Sequence, residues 1–182
     1  MLQILILGRG GQGAQTAGHL LARTFFAEGL YVQTFSTYGG ARRGTPVTSS
    51  LRVDRTPIRQ RCNVTQADAL LCFDESLLGA DFLSQAKDTA LVVVNSAKTA
   101  AAIGVGGMRR VVPVDGAAIA QRNNMGKVVN SALLGGFCAA LGEPGIASLA
   151  AIIEETAPMK TSENVAACHE AFGALTPVKE RA

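Results

Sequence analysis

Apolar residues fall along this chain in two patterns. Short runs that stay apolar at nearly every position predict strands buried on both faces. They are Leu2–Leu7, Ala69–Phe73, Leu91–Val94 and Arg110–Val114. Tyr31–Phe35 reads as a further strand, and Thr48–Val53 alternates loosely enough to add another, as an antiparallel hairpin with Pro57-Ile58. Between and after these runs lie helix-forming stretches: Ala14–Glu28, stopped by Gly29; a short helix over Glu75–Leu83; then Ala117–Arg122, Val128–Leu141, Ile146–Glu155 and Ser162–Leu175. Thr161 or Ser162 offers the N-cap of the last helix. Alternating strands and helices predict an α/β fold: one doubly wound, mostly parallel sheet with helices on both faces, a Rossmann-like first βαβ unit and a helical C-terminal third. The whole of 1–182 reads as one domain, and no repeat or low-complexity linker interrupts it.

Composition changes this picture in one respect. The chain is 48% apolar, 17% charged and 5% aromatic. So little charge on a chain of this size leaves part of the surface to face another subunit. The net charge of +3 makes no case for nucleic acid. Basic residues nonetheless gather locally as Arg42, Arg43, Arg52, Arg55, Arg59 and Arg61, with Asp54 the one acid among them. Cys62, Cys72, Cys138 and Cys168 have no C-x-x-C spacing, so buried reduced thiols are expected rather than a cluster or zinc site. Neither a cleavable leader nor an 18-residue apolar run is visible, which predicts a cytoplasmic chain without a membrane span.

The candidate chemistry sits at the first strand-to-helix junction. Gly8-Arg9-Gly10-Gly11-Gln12-Gly13 closes the first strand and opens a helix, the context in which G-x-G-x-x-G cradles a phosphate against helix N–H groups. A loop that binds NAD should meet an Asp or Glu at the end of the second strand, for the ribose hydroxyls. That position holds Ser36, Thr37 and Tyr38, followed by Gly39, Arg42 and Arg43. Hydroxyls and guanidinium forks suit a phosphate monoester, as on NADP or coenzyme A, better than a free ribose. Asn130 opens a helix that can aim at the same edge, either toward a ligand or into helix-entry hydrogen bonding. His19 and His169 lie in separate helices, Asp74 and Glu75 read as helix caps, and Ser76 lacks a G-x-S-x-G elbow. No catalytic set and no metal site is legible.

Four blocks, taken together, resemble the gamma subunit or gamma domain of 2-oxoacid:acceptor oxidoreductases, the pyruvate- and 2-ketoacid:ferredoxin-type enzymes. The G-R-G-G-Q-G start is the first. Tyr38–Gly44 through Ser50-Leu51-Arg52 and Pro57-Ile58 is similar to Y-G-x-E-x-R-G-G…S-x-R…P-I. Ala67–Asp74 is similar to A-D-x-L-x-x-x-D, and Asn130 with Gly135 to a later N-x(3–5)-G helix. The chain departs from this pattern at Ala41, where the family has an acid, and at Thr45, where it has a second glycine. The resemblance implies a non-catalytic subunit of a complex that converts a 2-oxoacid, coenzyme A and an oxidised acceptor into acyl-CoA, CO2 and reduced acceptor. Thiamine diphosphate and iron–sulfur clusters are then expected on partner subunits. The residues implied to serve the coenzyme A end are Gly8, Gly10, Gly11, Gln12, Gly13, Ser36, Thr37, Tyr38, Gly39, Arg42, Arg43 and Asn130. Two other readings stay open on the residues alone: a stand-alone NADP-dependent reductase, and a scaffold whose glycine loop holds a partner's segment.

Overall fold

A computed structural model describes residues 1–38 and 44–175. Its elements run β1 (Leu2–Arg9), α1 (Ala14–Ala27), β2 (Tyr31–Tyr38), β3 (Pro46–Asp54), β4 (Ala67–Cys72), a 3-10 turn (Glu75–Leu77), α2 (Ala80–Leu83), β5 (Ala86–Asn95), α3 (Ala100–Ile103), β6 (Arg110–Val114), α4 (Gly116–Arg122), α5 (Asn130–Leu141), α6 (Ile146–Thr156) and α7 (Thr161–Leu175).

The strands form one six-stranded sheet in the order β2-β3-β1-β4-β5-β6. β1, β4, β5 and β6 pair in parallel. β3 is antiparallel to both β1 and β2, so β2 runs in the same direction as β1 but one strand removed from it. Consecutive β1 residues serve opposite faces: Ile4 and Ile6 join the core under α1 and α5, while Leu5 and Leu7 join the second core. The first face is thick, carrying α1 and the C-terminal helices through Phe25, Leu133, Phe137, Ile153 and Cys168. The second is covered by short pieces that contribute Leu77, Phe82, Leu83 and Ile103.

Two small residues set how closely the thick layer sits. A Cβ on Gly135 would lie 2.1 Å from the Cys168 carbonyl oxygen, so α5 and α7 touch backbone to backbone. A Cβ on Gly18 would lie 2.2 Å from Ser49 Oγ, which fixes α1 against β3.

Several expectations change. The hairpin partner of β3 is β2, in register from Tyr31↔Asp54 to Tyr38↔Val47, and not Pro57-Ile58, which lies beyond the strand. Proline has no N–H to give a ladder, whereas β2 offers eight continuous positions. Ser36, Thr37 and Tyr38 accordingly extend β2 beyond the end expected at Phe35. The helix expected over Glu75–Leu83 is two pieces separated by Leu78 and Gly79. The four-residue α3, capped by Thr99 and ended by Gly104 at φ +68°, is an addition to the expected elements. Cys72, Cys138 and Cys168 are buried and free as expected, but Cys62 is exposed.

Candidate functional site

The chain reverses its winding direction beside β1: α1 leads to β2 and β3 on one side, and β4 then joins on the other. In open α/β sheets the crevice at such a switch point, outside the carboxyl ends of the strands, is where ligands bind. Here that corner is built from the turn after β1, the residues after β4, and the start of α5.

One shoulder of the turn is closed by its own side chains. Arg9 donates from Nε to Asp74 Oδ2 at 2.8 Å, from Nη2 to Ser76 Oγ at 2.8 Å, and from Nη1 to the Gly44 carbonyl at 3.2 Å. Gln12 folds back, accepting the Arg9 N–H at 2.7 Å and donating to Asp74 at 3.4 Å. Gly10 exchanges hydrogen bonds with the strand opposite, donating to Thr45 O at 2.9 Å and accepting from Gly44 N at 3.2 Å. Asp74 also caps the 3-10 turn by accepting from Ser76 N–H and Oγ–H at 3.1 and 2.6 Å. Partial burial pushes the Asp74 carboxyl up. The Ser76 hydroxyl, the Arg9 guanidinium, the Ser76 N–H and the Gln12 amide together outweigh it and hold the group below the usual aspartate range. Burial pushes the neighbouring Cys72 thiol up to about 12, which leaves it no thiolate at neutral pH.

The other shoulder is open. Gly11 and Gly13 have φ of +97° and +91°, conformations that favour glycine. Gly13 caps α1 without any side-chain hydrogen bond, so the first N–H groups of this helix have no cap. Asn130, the first residue of α5 and 9% exposed, donates from Nδ2 to the Gly13 carbonyl at 2.8 Å. A Cβ on Gly13 would lie 2.5 Å from that Nδ2, so the glycine is required by contact as well as by φ. The bond to a carbonyl fixes the amide's orientation. Its Oδ1 is then left buried and without a hydrogen-bond partner.

Gly11, Gln12, Gly13 and Asn130 line a cavity of about 750 Å³ between α1, α5, α6 and the start of α7. Its wall includes the apolar Leu20, Phe73, Met125 and Ile153, and it carries Lys127 and Lys160 but no carboxylate. Ser131 Oγ donates to Asn164 Oδ1 at 2.6 Å, and Asn164 donates to the Met159 and Lys160 carbonyls, so that part of the wall is satisfied internally. Lys160 donates to the Asn124 carbonyl.

Of the residues singled out from sequence, the structure therefore gathers Gly11, Gln12, Gly13 and Asn130. Gly8 and Gly10 shape the turn from behind: a Cβ on Gly8 would lie 2.8 Å from Ala14 Cβ. Ser36 is not drawn in, because it pairs with Ser49, which itself pairs with Ile6, placing Ser36 two strands from β1. Thr37 and Tyr38 share that edge strand in their backbone. Gly39, Arg42 and Arg43 lie outside the described residues. Sequence reading missed Thr16, Asn95, Lys127 and Lys160. Lys127 had a usable signal, the Gly126-Lys127 pair just before Asn130; Lys160 did not, since it reaches the cavity from a turn before α7. His19 and His169 are exposed on their helices. Among the described residues no group of three or more His, Cys, Asp or Glu could hold a metal ion, and no helix is long and apolar enough to cross a membrane.

Comparison with known proteins adds the following. The family model described as pyruvate ferredoxin/flavodoxin oxidoreductase matches residues 3–174. The chain is 38% identical over 164 residues to the pyruvate synthase subunit PorC of Methanothermobacter thermautotrophicus, covering 90% of this chain and 89% of that one. It is 36% identical over 177 residues to the common subunit gamma of the pyruvate/ketoisovalerate oxidoreductases of Pyrococcus furiosus, covering 94% and 96%. The crystal structure of pyruvate oxidoreductase subunit PORC from Thermotoga maritima superposes with a TM-score of 0.83 at 26% identity, covering 94% of this chain and 95% of that chain.

Proposed function

The chain belongs to the pyruvate ferredoxin/flavodoxin oxidoreductase family and is a gamma-type subunit of a 2-oxoacid oxidoreductase complex; we propose that within it the chain performs no chemistry alone and builds a wall of the coenzyme A site. The observation that carries this is the pairing of Gly13 with Asn130 at the cavity wall, which leaves an uncapped helix start next to a buried, unpartnered amide oxygen. A coenzyme A molecule answers both needs. Its phosphates accept hydrogen bonds from helix N–H groups and favour the positive end of the helix dipole. Its pantetheine amides and hydroxyls supply the donors that Asn130 Oδ1 lacks. The lysines and the absence of carboxylates suit an anionic ligand, and the apolar lining suits its uncharged portions.

On this reading Gly11, Gln12, Gly13 and Asn130 face the ligand, and Arg9 holds the turn rather than touching phosphate. Gly8 and Gly10 support the loop from behind. Gly39, Arg42 and Arg43, which follow Ser36, Thr37 and Tyr38 in the sequence, are read as further contributors to phosphate binding. Thiamine diphosphate and the iron–sulfur clusters belong to partner subunits, and the complex is cytoplasmic.

Steady-state kinetics of the assembled complex test this. Asn130→Ala should raise the KM for coenzyme A about tenfold, the effect of one buried hydrogen bond, while kcat and subunit composition stay as they were. An unchanged KM together with loss of assembly would instead make the cavity a seat for a partner's segment.

A further inference from the structure

We infer that the end of the sheet opposite the cavity is a docking surface for an acidic face of a different subunit of the complex. The strand directions bring three chain segments together there. β3 ends at Asp54, opposite Tyr31 at the start of β2, and its Val53 pairs with Leu2 at the start of β1. The 55–66 loop leaves from this point and returns at Ala67, the first residue of β4. Seven residue steps along β1 separate this end from the glycine turn, about 23 Å of extended chain.

The surface has the make-up of a protein interface. Arg55, Arg59 and Arg61 are exposed on the loop. Among the described residues, no hydrogen bond or ion pair engages any of the three guanidiniums. The acids beside them are already taken. Asp54 accepts from the N-terminal ammonium at 3.3 Å and from the Thr56 N–H at 3.1 Å. Asp68 is held by Lys87 at 2.5 Å and by the Gln3 N–H at 2.8 Å. Next to this unopposed charge stand two exposed large apolar residues, Met1 at 51% and Tyr31 at 49%. Arginine, tyrosine and methionine are enriched at interface cores, while lysine and glutamate are depleted.

The loop is also anchored. Arg52 is 1% exposed and has no carboxylate partner among the described residues; its guanidinium donates to Gln3 and Gln33 side-chain oxygens at 3.2 and 3.3 Å and to the Cys62 carbonyl at 2.7 Å. A buried arginine thus ties the far end of the loop to the sheet, which reduces the ordering cost when a partner binds, and its own charge adds to the positive field.

That charge chooses the occupant. A second copy docked face to face across a two-fold axis would set three unpaired arginines against three more. Carboxylates on a different chain give each guanidinium a bidentate partner. Nucleic acid is disfavoured by the net charge of +3 and by the exposed apolar pair, Met1 and Tyr31, at this end of the sheet. The inference rests on the chain being one subunit of a complex, not on the coenzyme A reading, and it is tested at the other end of the sheet.

The test uses the complex assembled from this chain and its catalytic subunits. A dicarbonyl arginine reagent should label Arg55, Arg59 and Arg61 in the isolated chain and much more slowly in the complex. The triple Arg→Glu variant should bind the catalytic subunits roughly 10- to 100-fold more weakly at 0.15 M salt, with a steep salt dependence. The triple Arg→Lys variant, which keeps the charge and loses the bidentate fork, should bind more tightly than the Arg→Glu variant and more weakly than wild type, and circular dichroism should show both folded. Equal labelling in both states, or wild-type assembly of the Arg→Glu variant, would overturn the proposal. So would protection of the three arginines in a dimer of the isolated chain, or tight binding of a 20-nucleotide single strand abolished by the Arg→Glu changes.

Discussion

Arg9 and Asn130 stand on either side of the same glycine turn and differ in how completely they are engaged. Arg9 has donated to a carboxylate, a hydroxyl and a carbonyl, and its carboxylate partner Asp74 accepts three further hydrogen bonds, one from the Gln12 amide and two from the Ser76 N–H and hydroxyl. Asn130 has made one bond, to Gly13, and keeps an acceptor in the dark. Buried polar groups are nearly always paired, because an unmade hydrogen bond costs about 1–3 kcal/mol. The difference teaches where stability ends and binding begins. The arginine inside the motif, which chemistry alone would assign to phosphate, is a clamp between β1, β4 and the start of β3. The neutral amide more than a hundred residues away is the group that waits for something.

The comparison breaks first at the glycines. Gly13→Ala should be the most damaging change at this corner. It places a Cβ 2.5 Å from Asn130 Nδ2 at φ +91°, which combines about 1–2 kcal/mol of left-handed strain with displacement of the amide. We expect a loss of about 2–4 kcal/mol, read as a melting temperature roughly 5–15 °C lower. Gly11→Ala has the same kind of φ, +97°, but nothing within 4 Å of the new Cβ. It should cost only the strain, about 1 kcal/mol. Equal losses at the two positions would show that backbone strain, not the Asn130 contact, governs the turn.

On the engaged side, Arg9→Ala should cost about 1 kcal/mol by urea denaturation, a modest figure because Arg9 and Asp74 side chains remain 34% and 24% exposed. The pH dependence follows from the direction of the Asp74 shift. Its carboxyl is held below its unfolded value, so its contribution is fully present above the ordinary aspartate pKa of about 3.9 and fades as pH falls through the lower folded value. Stability should therefore decline from about pH 4 downward. Asp74→Asn should flatten that part of the profile while leaving the slope near pH 7 alone. A profile unchanged by Asp74→Asn would mean the clamp does not hold the turn.

Much of this corner was legible in the sequence, and the reasons it was so are local. The glycine turn announces itself because φ-positive residues, an apolar run and a helix must follow one another there. Asp74 as a cap was readable from its position just after a strand. What could not be read was pairing across distance. Ser36 stood where a ribose acid belongs in a βαβ unit, but that inference assumes β2 lies against β1. The inserted β3 moves Ser36 two strands away; that strand was legible at Thr48–Val53, but its place between β1 and β2 was not. Arg9 and Arg52 are similar cases. Each looks like a free cation in sequence, and each is engaged by partners that only folding supplies: a carboxylate 65 residues on for one, and a ring of uncharged oxygens for the other.

Asn130→Ala should give the smallest change in stability, and that is what makes it the sharpest variant. The substitution removes one hydrogen bond to Gly13, worth about 1 kcal/mol, but it also removes a buried acceptor whose desolvation costs about as much. The two nearly cancel, so the free chain should melt within about 2 °C of wild type. An amide kept for packing would not behave this way, since losing it would simply destabilise. A group kept for a ligand should be nearly neutral in the free chain and costly once ligand is present. Saturating coenzyme A should therefore raise the melting temperature of the assembled wild-type complex more than that of the Asn130→Ala complex. A large drop in the free chain with no difference in the ligand-induced shift would return Asn130 to the engaged side of the turn, alongside Arg9.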